Sequence, residues 1–140
     1  MPRSAASRVL LAPLEDVWAF VAEPYNLADW WPGISGVEPD RRGLAPGARW
    51  TVVGPDAPSY LRKPQAPGTL LVVAVAPQER LAFQLPQDRL AVELTLQALD
   101  ERRTEATVAV QAPWLLPFHG TPPKRALERL HTLLRTGEEA

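Results

Sequence analysis

From Ile34 onward the chain alternates apolar and polar residues with a period of two, and only near its end does the period lengthen. Val92, Leu94, Leu96 and Ala98 oppose Glu93, Thr95 and Gln97, and Ala106, Val108 and Val110 oppose Glu105, Thr107 and Gln111. Successive side chains of a strand point to opposite faces, so each run offers one face to a core and one to water. The same pattern predicts strands over 34–39, 48–53, 69–76, 81–85, 89–99 and 104–111, and the β-prone run 5–11, stopped by Pro13, makes seven. The polar loop Asp100-Glu101-Arg102-Arg103 suits a hairpin between the last two strands.

Two regions carry the longer period. Leu14, Val17, Trp18 and Val21 recur at helical spacing behind Pro13, with Glu15 and Asp16 in the first turn; the helix is predicted to run to about Ala22. A second brief helical turn opens at Pro24, carries Leu27, Trp30 and Trp31, and stops at Pro32-Gly33. The spacing predicts one long helix over 122–136. At about 100° per residue, Ala126, Leu127, Leu130, Leu133 and Leu134 share an arc of roughly 120°, while Lys124, Arg125, Glu128, Arg129, Thr132 and Arg135 take the rest. Thr121 suits the N-cap, and Gly137 suits the stop. The expected architecture is α+β: a curved seven-stranded antiparallel sheet, apolar on one side, wrapped around this C-terminal helix, with two short helices between the first two strands.

Composition narrows the partners. A length of 140 residues supports one core, and a single domain over 1–140 is expected. No cysteine is present, which excludes a disulfide scaffold, a thiolate nucleophile and a sulfur-based zinc site. A net charge of −1, with no run of more than two cations, offers no field for nucleic acid. No segment approaches a membrane span, and the apolar run from Val9 to Ala12 is too short for a signal peptide, so a cytoplasmic location is expected. The sixteen prolines punctuate patterned segments. Two connections stand out: 54–68, with four prolines, is longer than a hairpin needs, and 112–120 places Trp114, Leu115, Leu116 and Phe118 just before the long helix.

The inner face assembled from the pattern is Trp50, Val52, Leu81, Phe83, Leu94, Leu96, Val108 and Val110, opposite Leu127, Leu130 and Leu134, with Phe118 as cover. It is nearly all carbon. Apolar burial at about 25 cal/mol per Å² would hold a ring system with few polar anchors; the plainer alternative is that these side chains fill one another's space. For acid or base chemistry the candidates are His119 and Tyr60, with His131 and Arg49 behind them; a border histidine and a loop tyrosine are also ordinary packing residues. Arg49 alternates out of phase with Trp50 and Val52, which places it in solvent. Adjacent on one short helix, Trp30 and Trp31 are expected to diverge, one inward and the other packed or exposed. Asp16, Asp29 and Asp40 read as caps or solvated turns, and no metal-ligating cluster, catalytic elbow or phosphate loop is present.

The order strand, two short helices, six strands, long helix resembles the helix-grip arrangement, and the stretch 12–33 resembles the opening of the START/SRPBCC superfamily, nearest its polyketide cyclase/dehydrase-like branch. Pro13, Glu15, Val17 and Trp18 match that family's first helix start; Glu23, Pro24, Asn26, Leu27, Trp30 and Pro32 match its second. The resemblance implies a cavity between sheet and last helix for an apolar or aromatic small molecule such as a lipid or polyketide, with Trp30 as the inward ring. It implies no single reaction, and no cofactor is expected. Three functions are carried forward: binding without catalysis, which the scarcity of inward polar groups favours; a polyketide cyclase or dehydrase; and an interaction module that uses the 112–120 loop. Monomer and homodimer both remain open.

Overall fold

The computed structural model describes residues 3–32, 34–53, 68–86, 89–112 and 121–135. Strand β1 (Arg3–Leu10) is followed by helix α1 (Leu14–Ala22), a 3₁₀ turn (Pro24–Asn26) and helix α2 (Leu27–Trp30). Strands β2 (Gly36–Glu38), β3 (Arg49–Val53), β4 (Gly68–Ala76), β5 (Arg80–Leu85), β6 (Leu90–Ala98) and β7 (Thr104–Gln111) come next, and helix α3 (Thr121–Arg135) closes the order. Each predicted element is present. Boundaries move by one or two residues for most of them, and β2 is shorter than the 34–39 run.

The seven strands form one antiparallel sheet in the order β1-β7-β6-β5-β4-β3-β2. β2 through β7 follow as a meander, so β1 and β2, neighbours in sequence, lie at opposite edges. The helical segment from Leu14 to Trp30 therefore carries the chain across the width of the sheet. Its joints are held locally: Asn26 Nδ2 donates to the Phe20 carbonyl at 2.9 Å, and the Asn26 backbone N–H donates to the Glu23 carbonyl at 3.0 Å. Between Val72 and Ala74 the β4–β5 register shifts, and such irregularities add twist and bend to a sheet.

Register aligns the inner residues across strands. Leu81 faces Leu94, which faces Val108, which faces Ala6; Phe83, Val92, Val110 and Ser4 make the adjacent row. Helix α3 lies against β1 and β7 and also meets α2. Its buried residues are Pro123, Ala126, Leu127 and Leu130, with Leu134 half-buried against the core. The expected stripe is narrower than its sequence. Leu133 is 40% exposed, because it stands at the margin of the apolar arc, one step from the solvated Arg129 side of the helix. The described charged residues of the predicted polar face, Lys124, Arg125, Glu128 and Arg129, are all exposed. No described helix is long and apolar enough to cross a membrane.

Candidate functional site

Between the inner sheet face, α2 and α3 the chain concentrates its apolar side chains. Trp50, Val52, Leu81, Phe83, Leu94, Leu96, Val108 and Val110 are all buried, as are Leu127, Leu130 and Trp30. They belong to one contiguous cluster, with Leu134 packed at its edge. Leu10, Leu70, Val72 and Val92 belong to it as well. Leu70 and Val72 are hard to single out from sequence, since the run Leu70-Leu71-Val72-Val73 is apolar on both faces and hides the period of two. The cross-strand register supplies what the pattern lacks: Leu70 faces Trp50, and Val72 faces Phe83.

Within this cluster three rings meet. Trp30 and Trp31 lie edge-to-face with centroids 6.1 Å apart and planes at 82°. Each also meets Phe83 edge-on, Trp30 at 6.5 Å and 77°, Trp31 at 5.8 Å and 89°. Pairs of this kind contribute about 0.5–1.5 kcal/mol beyond their buried area, so the cluster fixes the indoles in place. How two consecutive tryptophans reach one core follows from the backbone. Trp31 donates its N–H to the Leu27 carbonyl at 2.8 Å and then turns extended, at φ −92° and ψ 120°. Leaving the helix at that residue redirects the second indole, and both are buried.

Polar groups inside are few. Among the described residues Thr104 is the one buried polar residue, and its hydroxyl donates to the Ala12 carbonyl at 2.9 Å. Two further donors belong to tryptophans. Trp50 Nε1 donates to the Gly43 carbonyl at 2.8 Å, in a turn where Gly43 has φ +62°, a conformation that favours glycine. Trp30 Nε1 is buried and has no hydrogen-bond partner.

Among the described residues no ionisable group is fully buried. Arg49 is exposed, as its phase predicts, and its backbone N–H donates to Asp40 Oδ2 at 2.9 Å. That bond above all, with a second from the Arg42 N–H to Oδ1 at 2.9 Å, holds the Asp40 carboxyl below its ordinary range. Asp100 in the β6–β7 hairpin is lowered in the same way, first by the Arg102 N–H and then by the Arg103 guanidinium. Asp40 thus has the turn role expected for it. His131 is half-buried on α3. Tyr60, Phe118 and His119 lie outside the described residues, as does the apolar loop with Trp114, Leu115 and Leu116. Among the described residues no set of His, Cys, Asp and Glu side chains is grouped to hold a metal.

Set against models of protein families, residues 1–135 match the one described as polyketide cyclase/dehydrase and lipid transport. Solved structures resemble the chain over its whole length. Protein XoxI from Bacillus cereus is 13% identical over 99% of each chain, with a TM-score of 0.74. A protein from Nitrosospira multiformis is 16% identical over 99% of this chain and 100% of its own, at a TM-score of 0.73. DynU16, described as a protein in the dynemicin biosynthetic locus, is 22% identical over 96% of this chain and 48% of its own, at 0.69. At such identities the likeness is one of fold. No curated protein matches the sequence.

Proposed function

The chain belongs to the polyketide cyclase/dehydrase and lipid transport family, and on that premise we propose that it binds an uncharged apolar or aromatic small molecule, of lipid or polyketide type, between the inner sheet face and α3. The observation that carries this reading is the chemistry of the interior. Its described lining is carbon from β3 to β7 and from α3, and its one buried polar residue, Thr104, already has a partner. A site of this kind retains ligands by area removed from water, at about 25 cal/mol per Å². Trp30, Trp50, Phe83, Leu94, Val108, Leu127 and Leu130 are the side chains proposed to meet the ligand. Binding without turnover is the reading within the family description, because no described ionisable side chain is buried where it would act as general acid or base.

Native mass spectrometry of freshly purified protein, followed by organic extraction, tests this directly. The expected result is one apolar adduct per chain, or, for protein stripped of it, saturable uptake of N-phenyl-1-naphthylamine at one site. A clean mass together with no saturable uptake would overturn the reading and leave the interior as a filled core.

A further inference from the structure

Three indoles are buried in this core, and the fold treats two of them, Trp50 and Trp30, differently. Trp50 is given a carbonyl acceptor by the Gly43 turn, at 2.8 Å. Trp30 is fully buried and its Nε1 is given none. Buried donors are paired in nearly all native proteins because leaving one unmade costs its full desolvation, so a lone exception calls for a reason. Thr104, the one buried polar side chain among the described residues, bonds the Ala12 carbonyl and does not accept from this N–H. The ring is not free to swing outward either, since Trp31 and Phe83 hold it edge-on from two sides.

Resting on the reading of the interior as a ligand site, we propose that Trp30 Nε1 is the donor for a single oxygen acceptor on the ligand. The site then takes uncharged molecules bearing a ketone, ester or similar carbonyl in preference to pure hydrocarbons. The carbonyl satisfies the orphan N–H, and the surrounding carbon takes the rest of the molecule. A carboxylate is disfavoured, because no cation is buried among the described residues to accompany it and an unpaired buried charge is costly. Trp30 in this view is a specificity-determining residue, selecting by the acceptor and not by shape. The competing explanation is that its N–H rests on the face of a neighbouring ring, a weaker contact that would also occupy it.

9-Fluorenone and fluorene share a tricyclic carbon frame and differ by one carbonyl oxygen, so they isolate the acceptor. Competition against N-phenyl-1-naphthylamine on the full chain is expected to show fluorenone binding roughly fivefold to tenfold tighter, the size of one net hydrogen bond. In ¹H–¹⁵N spectra the Trp30 indole resonance is expected to move downfield with fluorenone and to stay with fluorene. That resonance is identified by its loss in Trp30→Phe or, should that variant not fold, by triple-resonance assignment of the wild type. In a folded Trp30→Phe the affinity ratio is expected to fall to about one. Equal affinities with an unmoved indole signal would overturn the donor role while leaving the ligand site standing. An upfield Trp30 signal unmoved by fluorenone would identify the ring-face contact and overturn it too. If neither compound displaced the probe, or the probe itself did not bind, the ligand-site reading would fall and this inference with it.

Discussion

The two faces of the sheet are written on the same strands, one residue apart, and they differ in almost everything. Inside, Leu81, Leu94 and Val108 lie in register and are buried. One position along, Ala82, Glu93 and Ala109 make the outer row, where small side chains leave a shallow trough bordered by Arg3, Val73, Gln84 and Gln111. An ion pair crosses it, Arg80 to Glu93 at 2.8 Å, with side chains 47% and 37% exposed. Pairs so wet contribute little. The comparison teaches that stability and ligand chemistry belong to one parity of residues, whereas solubility and response to pH belong to the other. A one-residue slip would exchange them.

The sharpest break in that division is made on α3, where Leu130 and Leu133 stand three residues apart. Leu130 is fully buried and Leu133 is 40% exposed. Leu130→Asp places an unpaired charge in carbon and is expected to cost about 4 kcal/mol or more, a large share of a typical domain's stability. Leu133→Asp is expected to stay within about 0.5 kcal/mol of wild type. Urea denaturation of both variants measures the difference. Similar costs would mean that α3 does not present the Leu130 face to the sheet, and the architecture would have to be redrawn.

That pair also marks how far the sequence can be read. The seven strands, the two short helices and α3 were legible because most of their periods are clean and Pro13, Pro24 and Pro32 punctuate the chain. The inner face from Trp50 to Val110 was legible for the same reason. Leu133 was not, since an arc on a helical wheel has no edge until a partner surface defines one. Leu70 and Val72 were hidden in a run apolar on both faces. The ring cluster needed tertiary knowledge of a different kind: that Trp31 leaves the helix and so joins Trp30 in the core. Nothing in the sequence distinguishes the paired indole of Trp50 from the unpaired one of Trp30, because acceptors for side chains come from folded turns such as that at Gly43.

A smaller effect sharpens the contrast in hydrogen bonding. Thr104 and Thr107 lie on the same strand; Thr104 bonds the buried Ala12 carbonyl, and Thr107 pairs with Ser7 at 2.8 Å where water reaches it. Thr104→Val removes the hydroxyl and strands a buried acceptor, with an expected loss of about 1–3 kcal/mol. Thr107→Val leaves groups that water can satisfy and is expected to change stability by less than about 0.5 kcal/mol. Paired thermal melts at matched pH compare them. If Thr107→Val proved the costlier, the assignment of inner and outer parity on β7 would be wrong.

The smallest expected effect concerns charge, and it lies wholly outside the core. Asp40 has its carboxyl held below the ordinary range by the Arg49 and Arg42 N–H groups. A carboxyl lowered in the fold binds fewer protons than in the unfolded chain, where its pKa is about 3.9. Its contribution is therefore complete above that value and fades as pH falls through the folded pKa. Asp40→Asn removes the titration, so stability measured by urea from neutral pH down to about pH 2 should fall less steeply with acid than in wild type. Asn remains an acceptor for one N–H, which keeps the turn formed. Thr104→Val, by contrast, should lower the curve without changing its shape, because no proton is involved. An acid limb unaltered by Asp40→Asn would show that the turn around Asp40 makes no pH-dependent contribution. A limb flattened by the inner substitution instead would show that core packing and surface titration are coupled, against the separation of the two faces.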